Sequence, residues 1–116
     1  MTDAANMYAR TLERLQSGEP LSSISDEDLS ITTSGVTIDV TDRLGRLNRF
    51  ANARDALERM GELSGEERLR LVRIVALREQ RGATLSAEHE ALLAINAAAM
   101  LETMKVELER RSSSVN

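Results

Sequence analysis

The chain has 116 residues, of which 41% are hydrophobic, 2% aromatic and 29% charged, and its formal net charge is −4 at pH 7. This length suits one small domain with one core, and the absence of cysteine excludes disulfides, thiolate catalysis and cysteine-ligated zinc. Tyr8 and Phe50 are the only aromatic residues, so the core must be aliphatic, which favours packed helices over a β-sandwich.

The first predicted helix covers residues 3–16. Its apolar residues recur every three or four positions: Ala4, Tyr8, Leu12 and Leu15. We expect it to end near Gly18, which can take a left-handed conformation, because Pro20 then blocks continuation of the helix. Residues 20–28 are predicted to form a loop, in which Ser25 is suited to begin a single helical turn.

A β-hairpin is predicted over residues 29–40, LSITTSGVTIDV, the one stretch in which apolar and polar residues alternate. Two short strands, 29–33 and 36–40, flank a turn at Ser34 and Gly35, where glycine supplies the positive φ that a tight turn needs. Because a lone two-stranded hairpin is only marginally stable in water, its apolar face must lie on helices or its edge must pair with another chain.

The second predicted helix runs from an N-cap at Thr41 to Met60, just before Gly61. Its apolar residues lie within an arc of about 140° around the helix: Leu47, Phe50, Ala53, Leu57 and Met60. Gly45 costs about 1 kcal/mol in a helix interior, so we expect a distorted first turn.

The third predicted helix has the clearest start, because Ser64 and Glu67 have the spacing of a capping box, and it continues to Gly82. A wide apolar face makes it the most buried helix by pattern: Leu69, Leu71, Val72, Ile74, Val75, Ala76 and Leu77. The fourth helix begins near Ser86 and runs to Arg110, a length of about 37 Å.

These elements predict a mainly α fold. The expected architecture is a small four-helix, bundle-like single domain over residues 1–112, with one short β-hairpin at about 29–40 between the first and second helices. Residues 113–116 are predicted to be a flexible C-terminal tail, because they are polar and terminal.

No catalytic, cofactor or metal site is predicted. His89 is the only histidine, and it has no second histidine or cysteine with which to bind a metal. Glu66 and Glu67 resemble a pair of acid–base carboxylates, but capping explains Glu67, and Glu66 can pair with Arg70 four residues later. We therefore expect a protein that is not an enzyme and carries no cofactor.

Charge divides the chain unevenly. Residues 42–82 carry ten arginines against seven acids, whereas residues 1–41 carry two arginines against seven acids. Fourteen of the fifteen basic residues are arginine, whose planar guanidinium suits carboxylate and phosphate partners. The basic middle of the chain is therefore the expected binding region.

The function predicted from these features is a non-enzymatic protein-binding module: a small adaptor, assembly factor or inhibitor. Arginine usage and small size suggest a bacterial or phage accessory protein. An unprotected hairpin edge and mixed arginine–aliphatic surface both suit a protein interface. The predicted partner-binding residues are Ile31, Val36, Ile38, Arg46, Arg49 and Arg54. In the alternative interpretation the hairpin only caps the helices, and the arginines pair with Asp42, Asp55 and Glu58.

A second functional hypothesis is a nucleic-acid-binding regulator that uses the arginines of the second and third helices. A sequence pI of about 5.1 and the scarcity of aromatic residues favour the first hypothesis. The protein partner has no predicted identity.

A homodimer is also predicted, through a stripe on the fourth helix that continues where partners within the chain should run out: Leu93, Ala97, Met100 and Met104. The alternative is that this helix is only the central core helix. The N-terminal residues do not resemble a signal peptide, and no segment has the ~18 apolar residues of a membrane span, so we expect a cytoplasmic protein without membrane contact.

Overall fold

The computed structural model describes residues 3–113 of the chain. Its elements are five α-helices and one short 3₁₀ turn at Leu21–Ser23: α1 (Asp3–Gln16), α2 (Asp26–Leu47), α3 (Ala53–Gly61), α4 (Gly65–Gln80) and α5 (Ala87–Ser113). The mainly α class is confirmed, and residues 3–113 contain no strand.

The predicted β-hairpin is wrong, because residues 29–40 lie inside α2. The N-cap at Ser25, which is predicted from the sequence to begin only a single helical turn, begins the whole of α2. The Ser25 hydroxyl oxygen accepts a hydrogen bond from the Asp28 N–H at 3.2 Å, as an N-cap residue does. Three acids fill the first turn, where they complement the positive end of the helix dipole.

Two threonine hydroxyls of the β-branched segment within residues 29–40 are satisfied by hydrogen bonds inside α2. The Thr33 hydroxyl donates to the Leu29 carbonyl oxygen at 2.7 Å, and the Thr37 hydroxyl donates to the Thr33 carbonyl oxygen at 2.8 Å. Such bonds to the preceding turn satisfy the hydroxyls without leaving the helix. The side chains that α2 buries follow helical spacing: Leu29, Thr32, Val36 and Leu47.

Gly35 is not a turn residue. The described residues with positive φ are Gly18 and Gly82 alone, so Gly35 has ordinary helical backbone. A Cβ built on Gly35 would overlap the ring of Tyr8 from α1. The glycine therefore serves close approach of an aromatic ring to the backbone of α2.

The predicted second helix is also corrected, because two helices occupy its span. α2 ends at Leu47, and a turn over residues 48–52 precedes α3. Thr41, the predicted N-cap, lies in the interior of α2. The chain therefore has five helices over residues 3–113 rather than four.

Three predicted local signals are confirmed. Gly18 follows α1 with φ of +99°, as expected for a residue that ends a helix. The Glu67 N–H donates to the Ser64 hydroxyl oxygen at 3.2 Å, and the Ser64 N–H donates to the Glu67 carboxylate at 3.3 Å, which completes the capping box of α4. The Ser86 hydroxyl oxygen accepts from the His89 N–H at 3.2 Å and so caps α5.

The chain forms two compact units, Met1–Ile38 with Ala99–Asn116 and Asp39–Ala98. The second unit contains a cluster of buried apolar residues, nearly half of it from α5: Leu47, Ala56, Met60, Val75, Leu85, Ala87, Ala91, Leu92 and Leu93. The largest fully buried side chains of the first unit are Thr11, Ile24, Leu29, Thr32 and Met104. The single domain over 1–112 stays a prediction, and residues 114–116 of the predicted tail lie outside the described residues.

Replacing Thr32 by valine is expected to stabilise the protein by about 1 kcal/mol. The Thr32 side chain is fully buried, and its hydroxyl has no hydrogen-bond partner among residues 3–113. A buried polar group without a partner is destabilising, whereas an apolar group of the same shape is not. Urea unfolding measures the change. Thr33→Val is the control, because its hydroxyl is bonded and its removal should give no gain; a less stable Thr32→Val protein would contradict the expectation.

Candidate functional site

The three aliphatic residues of the predicted partner-binding face lie on α2 and differ in exposure. Val36 is buried, Ile31 is half-buried and Ile38 is exposed. A helix does not place residues 36 and 38 on the same side, as a strand would. The unpaired sheet edge on which the predicted face depended does not exist in residues 29–40, and only Ile38 of the three offers a large exposed side chain.

The three arginines of that predicted face belong to the second unit, at and after the end of α2. The Arg46 Nε donates to a Glu90 carboxylate oxygen at 3.0 Å. Arg49 and Arg54 are exposed and form no ion pair with any residue between 3 and 113. The alternative interpretation, in which these arginines pair with Asp42, Asp55 and Glu58, is therefore not what the second unit displays.

Arg43 is the arginine most fully used inside the second unit. Its guanidinium donates to both carboxylate oxygens of Glu79 on α4, at 2.8 and 2.9 Å, and its Nε donates to Asp39 at 2.9 Å. Burial alone lowers the pKa of Arg43, but the hydrogen bonds to Glu79 and Asp39 outweigh burial and raise it. The same contact lowers the pKa of Glu79, so both groups stay charged and join α2 to α4.

The predicted self-association stripe of α5 is largely covered by the chain itself. Leu93, Ala97 and Met104 are buried, and Met100 is half-buried. The dimer prediction rested on the expectation that partners within the chain run out along this stripe. Since they do not, the core-helix alternative accounts for these four residues, and the homodimer stays an untested prediction.

The exposed apolar surface lies instead on α4. Among residues 3–113, six large aliphatic side chains are exposed, and α4 carries three of them: Leu69 at 57%, Ile74 at 48% and Leu77 at 45%. The sequence pattern predicted α4 as the most buried helix, but Val75 is its only buried residue. The core covers one side of α4 and leaves the other to solvent.

The exposed aliphatic side chains of α4 alternate with arginines. At about 100° per residue, seven exposed residues of α4 fall within an arc of about 140°. We name five of them the α4 outer face: Leu69, Arg70, Arg73, Ile74 and Leu77. Glu66 and Gln80 are the other two. Neither arginine of this face forms an ion pair with a residue in the range 3–113. The face therefore offers apolar area and two guanidiniums that form no direct ion pair, with Glu66 and Glu67 close to Arg70.

Two shallow depressions lie on the α4 outer face, and Arg70 borders both. One, of about 250 Å³, is lined by Glu66, Leu69, Arg70 and Arg73. The other, of about 240 Å³, is lined by Leu63, Glu67, Arg70, Leu71 and Ile74. Each is smaller than the usual site for a small molecule, which has a volume of about 300–1,000 Å³, but can accept one or two side chains from another helix.

The described residues contain no cluster of side chains suited to bind a metal ion. No group of three or more histidine, aspartate or glutamate side chains is placed to hold a metal ion among residues 3–113. None of the described helices is both long enough and apolar enough to cross a membrane.

Comparisons with protein-family models, with curated proteins and with solved structures returned no match. The one sequence signal for the α4 outer face is the width of the apolar arc of α4, compared with the half of a helix that a single core can cover. Leu69, Ile74 and Leu77 extend the apolar pattern well beyond the half of the helix that one core can cover.

Proposed function

We propose that this protein is a non-enzymatic protein-binding module whose α4 outer face docks an acidic amphipathic helix of a partner protein. The observation that carries the proposal is the combination of three exposed aliphatic side chains with two unpaired arginines on one side of one helix. Apolar side chains interleaved with arginine, and without lysine, are typical of the central part of protein interfaces.

Charge supports an acidic partner. The protein is acidic as a whole, with a net charge of −4, yet Arg70 and Arg73 form no direct ion pair with any residue in the range 3–113. A carboxylate on the incoming helix can pair with either guanidinium bidentately. Leu69, Ile74 and Leu77 supply the apolar contact that such a helix makes at positions three and four residues apart.

Nucleic-acid binding is the second candidate, because six exposed arginines of the second unit form no ion pair within the described chain: Arg49, Arg54, Arg70, Arg73, Arg78 and Arg81. Phosphodiester backbones need positive charge but gain little from exposed leucine and isoleucine. The aliphatic residues of the α4 outer face therefore favour a protein partner, and the two candidates differ in their response to nuclease.

The test is affinity capture from nuclease-treated lysate of the source cell, with the double variant Leu69→Glu, Leu77→Glu compared with wild type. We expect the variant to fold normally, because both positions are exposed, and to bind the wild-type partner at least about tenfold more weakly, a loss of about 1.4 kcal/mol. Mass spectrometry identifies the proteins retained, and titration with the purified partner measures the affinities.

The matched control is Ile38→Glu with Val106→Glu, which also adds two negative charges at exposed aliphatic positions, but on α2 and α5 of the first unit. We expect this control to bind as wild type does. Equal retention of the partner by both double variants would contradict the α4 outer face. Loss of every retained protein on nuclease treatment would contradict protein binding and favour the nucleic-acid candidate.

A further inference from the structure

The second unit contains a pocket of about 420 Å³ that is separate in its residues from the α4 outer face. The last turn of α2, the turn that follows it, and the connection into α5 provide its walls, with Arg46, Arg49, Phe50, Leu85 and Glu90 among the lining residues. This volume lies within the range of small-molecule sites in proteins. Both charged and apolar groups line the pocket, so a matching ligand must have both polar and apolar parts.

Glu90 gives the pocket an acceptor without a donor. Its side chain is buried, at 6% exposed, and one carboxylate oxygen accepts from the Arg46 Nε at 3.0 Å. The other oxygen, Oε1, has no hydrogen-bond partner in the described chain. Buried carboxylate oxygens are nearly always paired in folded proteins, so a donor supplied by a ligand is the natural partner for Oε1.

Two guanidiniums give the same pocket donors without acceptors. Arg46 uses its Nε on Glu90, and its two terminal nitrogens make no hydrogen bond to residues 3–113. Arg49 is exposed and forms no ion pair with the described residues. Glu79 also lines the pocket; Arg43 donates to both of its oxygens at 2.8 and 2.9 Å, and no hydrogen bond joins Glu79 to Arg46 or Arg49 in the described chain.

The charge balance favours a dipolar ligand over a simple anion. The acidic and basic residues that line the pocket are two glutamates and two arginines, so their formal charges cancel. A ligand with one anionic group and a neighbouring N–H donor can accept hydrogen bonds from the two arginines and donate one to Glu90 Oε1. Phe50 and the buried Leu85 supply an apolar wall for the rest of the molecule.

We infer that this pocket binds an apolar α-amino acid, either free or as the C-terminal residue of a peptide. Its carboxylate binds Arg46 and Arg49, its N–H group donates to Glu90 Oε1, and its side chain packs on Phe50 and Leu85. Because Oε1 has almost no solvent-exposed surface, binding requires a small side-chain movement that admits the donor; Arg46, which is 42% exposed, has room to move. The inference does not depend on docking at the α4 outer face.

The experiment is titration of ¹⁵N-labelled protein with four leucine-derived probes, followed by NMR chemical shifts. Leucine has both groups, 4-methylpentanoate lacks the nitrogen, leucinamide lacks the carboxylate, and N-acetylleucine represents a peptide C-terminus. We expect leucine or N-acetylleucine to bind with a Kd at least about tenfold below those of the two incomplete probes. If leucine binds more tightly than N-acetylleucine, the ligand is the free amino acid; the reverse order indicates a peptide C-terminus. The chemical-shift changes should concentrate at the amides of Arg49 and Leu85.

Arg49→Gln is the diagnostic variant, because Arg49 is exposed and its replacement should leave the fold intact. We expect it to raise the Kd of the better probe at least about tenfold and to leave leucinamide binding unchanged. Arg54→Gln, at an exposed arginine outside the pocket, is the matched control and should bind as wild type does. Three results would each overturn the inference: no shifts with leucine and none with N-acetylleucine up to about 10 mM, a better complete probe that binds no more tightly than leucinamide, or an Arg49→Gln protein with unchanged affinity for that probe.

Discussion

Replacing Val36 by asparagine is expected to destabilise the protein by about 3–5 kcal/mol, whereas Ile38→Asn should change its stability by less than about 0.5 kcal/mol. Val36 is 2% exposed and Ile38 is 63% exposed. The Val36 variant loses about 1.5–3 kcal/mol of apolar burial and buries an amide without a partner, which costs about 1–3 kcal/mol more. Urea unfolding, with circular dichroism to confirm helicity, measures both variants.

The two positions are a matched pair, because both are β-branched aliphatic residues and they are two residues apart. A β-strand over residues 36–40 would place them on the same face, and the two substitutions would then have similar effects. In α2 they point about 200° apart around the helix axis. Equal destabilisation by the two variants would therefore contradict the helix and favour the hairpin.

The sequence correctly predicts a helix start or end where the signal involves only residues a few positions apart. The capping box at Ser64 and Glu67 depends on residues three apart, and it correctly began α4. Gly18, which follows α1, acts in the same local way. The hairpin prediction is wrong because the alternating pattern holds only if threonine is treated as a polar residue. Thr32 is fully buried and takes an apolar position in the helical stripe of α2.

The apolar excess of α4 is visible in the sequence, but the position of the candidate site on that helix is not, because it depends on which half of α4 the core leaves uncovered. The sequence identified a helix with apolar residues over a wide arc, and that arc includes both Val75, which is buried, and Leu77, which is exposed. The partners of the arginines also depend on tertiary structure. Arg43 reaches Glu79, 36 residues away, and Arg46 reaches Glu90, 44 residues away; neither distance leaves a pattern in sequence.

Gly35→Ala is expected to destabilise the protein by about 1–2 kcal/mol, although alanine is the better helix former. In a helix interior alanine gains about 1 kcal/mol over glycine, but a Cβ at residue 35 overlaps the ring of Tyr8. Forcing an extra carbon into a packed contact costs about 1–3 kcal/mol, and Tyr8 can withdraw only by moving α1 or leaving its rotamer. Gly45→Ala is the control in the same helix, because no atom lies within 4 Å of its added Cβ, and it should stabilise by about 0.5–1 kcal/mol.

A double-mutant cycle with Tyr8→Ala isolates this contact. Once the ring is removed, the alanine at residue 35 has space, and Gly35→Ala should become stabilising by about 0.5–1 kcal/mol, like Gly45→Ala. The coupling energy between the two positions should then be about 2 kcal/mol, well above the ~0.5 kcal/mol within which independent substitutions add. If Gly35 were instead the turn residue of a hairpin, alanine would be strained there with or without Tyr8. Additive effects in the cycle would therefore show that Tyr8 is not the reason for glycine at this position.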